Sequence, residues 1–218
     1  MKIIISESQL KTIVKSDIEE EYPMSWNVEE FKKLNSFNSR VKYCETHLKR
    51  ISSGSSRIVY MIDNTKVLKL AKNKKGIAQN DVEIGFSNDY MWDGLIAEIF
   101  NHDEDGLWVE MELARKVSPK SFQNIVGVSF DNYCDAIRYQ DDELNQRKGM
   151  RRSKPDNMDE MWENDFVSSI FDLIGGYDLT IGDLCKLSTY GVVSKEGEDS
   201  IVMIDYGLTS EVYNSYYG

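Results

Sequence analysis

The stretch KVLKLAKNKKG, residues 66–76, places Lys69 inside a short apolar run, with a hydrophobic residue directly on either side. Side chains alternate between the two faces of a strand, so Val67 and Lys69 share one face. Two interpretations follow. Lys69 lies on the solvated face of an edge strand, or it points into a cleft and binds a phosphate. The elements that surround this strand distinguish between them.

Strand-like segments lie on both sides of this stretch. Apolar-rich runs from about residue 49 to residue 72 predict three strands, with a turn at Asn64-Thr65 between the second and the third. Residues 76–92 have helical spacing, and residues 95–114 predict a hairpin around Asp105-Gly106. The order is therefore three strands, one helix and two strands.

The second half of the chain is mainly helical by its pattern. Capping serines begin two predicted helices at residues 118–128 and 129–140, and residues 157–176 predict one long helix that ends at glycines. A charged loop spans about 141–156. The last two apolar runs predict a second hairpin, which ends in IVMIDYGL at residues 201–208.

The first 48 residues predict a helical N-terminal extension. Ser6 is a good N-cap for the segment SESQLKTIV, and residues 27–50 predict one or two amphipathic helices.

Composition excludes several classes of protein. The 218-residue chain is 41% apolar and 29% charged, as in soluble globular proteins, and no run approaches the ~20 apolar residues of a membrane span. A net charge of −11 argues against general nucleic-acid binding, and the basic segment at 146–152 is interpreted as a solvated loop. Cys44, Cys134 and Cys185 are too widely spaced for a zinc site, and disulfides are not expected. We expect a cytoplasmic protein.

The order of elements over about residues 50–210 resembles the protein-kinase-like fold, including its aminoglycoside-phosphotransferase and small-molecule-kinase branch. The resemblance implies an α+β, bilobal protein. Its N-lobe, residues 49–117, holds a five-stranded antiparallel sheet and one helix. A short helical C-lobe follows at residues 118–218, and residues 1–48 remain an extension. Only eleven residues follow the Asp-Tyr-Gly triplet, so the later C-lobe helices of protein kinases are not expected.

The same resemblance assigns residues to ATP. ISSGSSRIVY, residues 51–60, is similar to the glycine-rich loop, although Ser52 and Arg57 replace two of its glycines. Lys69 matches the phosphate-binding lysine, and Glu83 on the next helix is its expected ion-pair partner, with Glu98 as the alternative. The residues assigned to the nucleotide are Gly54, Ser55, Ser56, Val59, Val67, Lys69, Glu83, Met111 and Glu112.

Two carboxylates are assigned to catalysis and metal binding by resemblance. Asp205, in the Asp-Tyr-Gly triplet, matches the Mg²⁺ ligand, and Asp183 in IGDL matches the catalytic base. The histidine that precedes this base in the family is absent. Ser188 or Thr189 stands where the family has a metal-binding asparagine. Lys186 is placed to neutralise the transferred phosphoryl group.

An alternative register of this loop stays open. It uses Asp178 as the base and Asp183 as a metal ligand, and it lengthens the interval to Asp205 to 27 residues.

Three functions are compatible with these residues. The first is an ATP- and Mg²⁺-dependent phosphotransferase that acts on a hydroxyl, on a protein substrate. The second is a degenerate kinase that binds a nucleotide or a protein partner as a regulatory module. The third transfers AMP on the same fold. The opening MKIIISESQL is also similar to proteins of tailed bacteriophages, which implies the cytoplasm of an infected host cell.

Overall fold

The computed structural model describes residues 25–145 and 152–217. The predicted helix that begins at Ser6, the phage-like opening and most of the basic segment at 146–152 lie outside the described residues. The chain divides into two compact units, Met1–Lys49 and Arg50–Gly218. In the described ranges, no helix has the length and apolar character needed to cross a membrane.

The described part of the first unit contains two helices, as the pattern predicts for residues 27–50. Helix α1 spans Val28–Lys32 and helix α2 spans Phe37–His47. The Asn27 side chain accepts hydrogen bonds from the first turn of α1. Phe31 is fully buried, and its ring lies 4.9 Å from that of Trp26. The residues from 27 to 47 are therefore held by helix caps and a small aromatic cluster.

Five strands form the main sheet, in the order β1-β2-β3-β5-β4. They are β1 (Lys49–Ser53), β2 (Arg57–Met61), β3 (Lys66–Ala71), β4 (Ile99–His102) and β5 (Trp108–Glu112). Strand β3 runs antiparallel to both β2 and β5, and all six of its residues are buried. The edge-strand interpretation of Lys69 is therefore wrong, because β3 is the central strand of the sheet.

Helix α3, Lys74–Ser87, follows β3 and is capped by the Asn73 side chain. The sequence pattern predicts a helix that continues to residue 92, which is wrong. The carboxylate of Asp89 accepts a hydrogen bond from the backbone N–H of Met91 and begins a separate 3₁₀ turn, Tyr90–Trp92. The buried face of α3 carries polar residues, which include Gln79, Asn80 and Glu83.

The second half is mainly helical, as predicted. Its helices are α4 (Pro119–Val126), α5 (Phe130–Leu144), α6 (Met158–Glu163), α7 (Asp165–Gly176), α8 (Ile181–Leu184) and α9 (Ser210–Tyr216). The single helix predicted for residues 157–176 is wrong. Asn164 separates α6 from α7, because its side chain accepts a hydrogen bond from Val167 N and donates one of 2.7 Å to the carbonyl of Val126.

The second predicted hairpin is confirmed and forms a small sheet. Strands β7 (Tyr190–Lys195) and β8 (Glu198–Met203) pair antiparallel, and β6 (Arg115–Lys116) adds an edge that the sequence pattern does not predict. The end of β8 is tied to the segment that precedes β4, since Ala97 N donates to the carbonyl of Met203 and Met203 N donates to that of Leu95. These bonds fix where residues 204–208 emerge. The fold is thus α+β with a five-stranded sheet.

Two glycines of α3 provide a matched test of how closely this helix packs against its neighbours. A Cβ added at Gly76 would lie 2.2 Å from the carbonyl oxygen of Ser56, whereas one at Gly85 would meet nothing within 4 Å. We expect Gly76→Ala to lower the free energy of unfolding by about 1–3 kcal/mol through overpacking. Gly85→Ala should raise it by roughly 0.5–1 kcal/mol through helix propensity. Urea denaturation measures both, and equal effects would contradict the close contact of α3 with the turn before β2.

Candidate functional site

A cleft of about 440 Å³ lies between one face of the main sheet and residues 183–208. Strands β2 and β3 and the end of β5 form one wall, and the segment after β8 forms the other. The predicted site residues that line it are Gly54, Ser55, Ser56, Val59, Val67, Lys69, Met111, Glu112, Asp183, Ser188 and Asp205. Residues that lie far apart in the sequence therefore meet at one concavity.

Lys69 is buried in the floor of this cleft. Its ammonium donates to both carboxylate oxygens of Glu83, at 3.0 and 2.8 Å, and to the carbonyl of Ile204 at 2.5 Å. Burial lowers the pKa of Lys69 below its ordinary value, although the Glu83 carboxylate opposes that shift. The structure thus places Glu83 beside Lys69, as predicted, although Glu83 itself lies behind the cleft wall. The bond from Lys69 to the carbonyl of Ile204 also links β3 to the residue before Asp205.

The alternative partner, Glu98, has a different environment. Its carboxylate lies 3.5 Å from the ammonium of Lys195 and is 56% exposed. The ion pair of Lys69 is therefore made by α3.

Arg57 is a second buried cation, to which the sequence pattern assigns no role beyond replacing a glycine of the resembled loop. Its guanidinium lies 2.8 Å from Glu83, donates to the Asn80 side chain at 3.3 Å and makes a close ion pair with Asp205. Burial opposes its charge, but the Glu83 and Asp205 carboxylates outweigh burial and raise the pKa of Arg57. One signal was available in the sequence. Arg57 is two residues before Val59 and shares its face of β2.

Asp205 lies at the mouth of the cleft, two residues after the buried end of β8. Its side chain is 60% exposed. The next two residues hold it in place. Tyr206 is buried with its ring 5.7 Å from that of Phe86, and a Cβ at Gly207 would lie 2.4 Å from the carbonyl oxygen of Gln79. The Asp-Tyr-Gly triplet therefore needs its glycine because the chain passes very close to α3.

The short helix α8 presents Asp183 to the cleft. One Asp183 oxygen is ion-paired with Lys186, and the other accepts a hydrogen bond of 2.9 Å from Thr180. Cation and hydroxyl together fix the orientation of this carboxylate. The side chain is 24% exposed, so it is open to a small reactant.

The two hydroxyl residues predicted as metal ligands are placed differently. Ser188 is exposed and lines the cleft, whereas Thr189 is 3% exposed and donates its hydroxyl to the carbonyl of Asp183 at 2.6 Å. Asp178, the base of the alternative register, is absent from the cleft lining and accepts a hydrogen bond from Ser210 at 2.8 Å. Asp183 and Ser188 thus face the same space as Asp205.

The rear of the cleft is formed by the end of β5, where apolar Met111 precedes Glu112. Met111 is fully buried, and Glu112 N donates to the carbonyl of Glu98 at 2.8 Å. The Glu112 carboxylate lies 3.5 Å from Lys195, which directs its charge toward the hairpin. Flat apolar surface from Val59, Val67 and Met111 beside two cations suits a ligand with an aromatic base and phosphates.

Tyr217, near the chain end, is a second cleft residue that the sequence pattern does not predict. Tyr217 lines the cleft, and its hydroxyl accepts a hydrogen bond of 3.4 Å from Gln79. Gln79 in turn accepts one of 2.7 Å from Ser56, and the ammonium of Lys75 lies 4.1 Å from the Tyr217 ring. The aromatic tail therefore packs on α3 and borders the glycine-containing turn.

Comparisons with solved structures find aminoglycoside phosphotransferases. A complex of APH(2'')-IIa with streptomycin and ATP aligns with a TM-score of 0.29 and 10% identity, over 69% of this chain and 42% of that one. ADP-bound APH(2'')-Ib aligns with a TM-score of 0.35 and 10% identity, over 93% and 71%. A gentamicin complex of APH(2'')-IIa aligns with a TM-score of 0.33 and 9% identity, over 94% and 71%.

This chain thus spans less than half the length of the first of these proteins. No protein-family model matches the sequence, and no curated protein is significantly similar to it. The overall likeness is too low to assign an activity, so the arrangement of side chains in the cleft carries the functional argument.

The buried charges provide a test of the site's construction. Glu83→Gln leaves Lys69 and Arg57 without their shared carboxylate, and we expect it to lower the free energy of unfolding by about 3–5 kcal/mol. The control is Glu98→Gln, which removes an exposed carboxylate and should change stability by less than about 0.5 kcal/mol. Thermal and urea unfolding measure both variants. A Glu83→Gln protein as stable as Glu98→Gln would show that the buried ion pairs do not support the fold.

Proposed function

We propose that this chain is an ATP-dependent phosphotransferase with a bilobal, protein-kinase-like fold. In this proposal residues 49–117 form the N-lobe, residues 118–218 form a short C-lobe, and residues 1–48 are an extension. One observation carries it. Lys69, bound to Glu83, and the carboxylates of Asp205 and Asp183 all belong to one cleft, although they come from opposite ends of the unit.

Different residues of the cleft are proposed to bind the adenine and the phosphates of the nucleotide. Val59, Val67 and Met111 offer apolar surface to the adenine, next to the backbone at Glu112. Gly54, Ser55 and Ser56 form the turn after β1, where backbone N–H groups and hydroxyls can approach phosphates. Lys69 binds phosphate oxygens from the floor of the cleft, and its ion pair with Glu83 holds the ammonium in place.

The donor set fits a magnesium ion carried by the nucleotide. Among the described residues no group of three His, Cys, Asp or Glu side chains could hold a metal. Mg²⁺ commonly needs only one or two carboxylates when phosphates supply further oxygens. Asp205 and Ser188 are the residues that would hold it, since Thr189 is bonded to a backbone carbonyl. When bound, the ion adds positive charge to the triphosphate.

Asp183 is the proposed base. Its carboxylate accepts the proton of an acceptor hydroxyl as that oxygen forms a bond to the γ-phosphorus, while the bond from this phosphorus to the β-phosphate oxygen breaks. Thr180 and Lys186 keep the carboxylate oriented. The exposed ammonium of Lys186, next to Asp183, is the group that we propose balances charge on the phosphoryl group. The acceptor is a hydroxyl, and we propose that a protein carries it.

A second function is supported by a specific observation. Arg57 is ion-paired with Asp205, and a serine replaces the second metal-binding amide that the family resemblance implies. Such a site could bind a nucleotide without transferring its phosphate, and the protein would then act as a regulatory, pseudokinase-like module.

Labelled nucleotides separate these functions. With γ-labelled ATP and Mg²⁺, we expect label to be transferred to the protein or to a protein in a cell lysate. Label from α-labelled ATP should stay in the nucleotide, and its appearance on protein would instead indicate AMP transfer. A nucleotide-dependent rise in melting temperature without transfer of either label would support the regulatory module.

Two variants test the assigned carboxylates in the same assay. Asp183→Asn should lower the transfer rate by about 10²–10⁴-fold, since it removes the base. Asp205→Asn should abolish metal-dependent transfer. The matched control is Asp178→Asn, which keeps an acceptor for Ser210 and should leave the rate nearly unchanged. Loss of activity in Asp178→Asn but not in Asp183→Asn would establish the alternative register.

A further inference from the structure

The cleft contains one more fixed cation than the phosphotransfer proposal uses. Arg57 lies on β2 opposite Ala71 of β3, and its side chain is 8% exposed. It lines the cleft together with Lys69. Both cations contact the same carboxylate, Glu83, which is fully buried. Two positive charges therefore share one buried negative charge.

Asp205 is the fourth charged residue of this cluster, after Lys69, Arg57 and Glu83, and its environment is different. Asp205 pairs with Arg57, but its side chain is 60% exposed, whereas Glu83 has no exposure. Exchange of the Asp205 carboxylate for a phosphate oxygen leaves Asp205 in contact with water, which costs little desolvation. Lys69, Arg57 and Glu83 then present a net charge of +1 to the ligand. A planar guanidinium is also well suited to phosphate oxygens.

Acidic donors for metals are scarce in the same place. Among the described residues that line the cleft, the acidic side chains are Glu112, Asp183 and Asp205. Glu112 lies near Lys195, and Asp183 is paired with Lys186. Two of the three lining carboxylates therefore have a lysine beside them, whereas two buried cations, Lys69 and Arg57, line the same space.

We propose that Arg57 is a phosphate-binding residue, and that it lets this cleft bind a nucleoside triphosphate without a divalent cation. This inference rests on the proposed nucleotide site but not on catalysis. It assigns to Arg57 part of the charge compensation that a metal ion otherwise supplies. A merely structural Arg57, which only joins Glu83 to Asp205, would have no effect on the metal dependence of binding.

The test is ATP binding by isothermal titration calorimetry, with the full chain in excess Mg²⁺ and in excess EDTA. For the unsubstituted protein we expect the two dissociation constants to agree within about tenfold. Arg57→Gln should weaken binding in EDTA by about 10- to 100-fold, as expected for loss of a charged hydrogen bond, and should weaken binding in Mg²⁺ less. Arg57→Lys should recover part of the affinity in EDTA, because it keeps the charge.

The control is Arg115→Gln, which removes the same charge from an exposed position on β6 that pairs with Asp199. Its two dissociation constants should match those of the unsubstituted protein. Circular dichroism establishes that each variant is folded. The comparison of Mg²⁺ with EDTA for the unsubstituted protein tests the inference even if a variant does not fold.

The outcomes distinguish this inference from the proposed function. Binding of ATP by the unsubstituted protein only in Mg²⁺ would overturn the role of Arg57 and leave the phosphotransferase proposal intact. Metal-free binding that Arg57→Gln leaves unchanged would also overturn it. Failure to bind ATP in either condition would overturn the proposed nucleotide site itself, and the inference with it.

Discussion

The contact of Lys69 and Arg57 with the single carboxylate of Glu83 is the interaction on which the cleft depends. Each ion removed from water costs several kcal/mol, so this group persists only because its members satisfy one another. Glu83 accepts two hydrogen bonds from Lys69 and an ion-pair contact from Arg57. The cluster joins α3 to β2 and β3. Through the carbonyl of Ile204 it also reaches the residue that precedes Asp205.

The second wall of the cleft is held by backbone contacts. Met203 exchanges hydrogen bonds with the segment before β4, and Ile204 N donates to the carbonyl of Thr189. Thr189 in turn bonds the carbonyl of Asp183. The position of the proposed base is thus fixed relative to Asp205 by neighbouring main-chain atoms. The side chains of Asp183 and Asp205 keep their exposure, while hydrogen bonds hold the neighbouring backbone in place.

The sequence predicts the parts of this site that depend on local pattern. Alternation along β3 places Val67 and Lys69 on one face, and helical spacing places Glu83 on the element that follows. An apolar run that ends in Asp205 indicates a buried strand with a carboxylate at its end. Each of these inferences needs only near neighbours in the chain, and each residue lies at or behind the cleft.

The remaining features depend on long-range packing that no local pattern encodes. Arg57 and Asp205 are separated by 148 positions, so their pairing follows only from the closed fold. The helical spacing of residues 157–176 continues through Asn164, yet a distant carbonyl, that of Val126, draws this side chain out of the helix. Ser188 and Thr189 lie in a short 3₁₀ turn, Leu187–Thr189. Neither the period of two nor the period of 3.6 applies there, so the sequence pattern does not decide which of the two residues faces the cleft.

The polar face of α3 restricts how the site can adjust. Gln79, Asn80 and Glu83 each bond a different strand or turn, and Gly207 passes against the helix backbone. A shift by one residue turns a helix by about 100°. Such a turn would bring these amides and this carboxylate against apolar side chains and break their bonds together. The helix is therefore a fixed reference for the cleft, and adaptation to ligands of different size has to come from the serine-rich turn and the chain end around it.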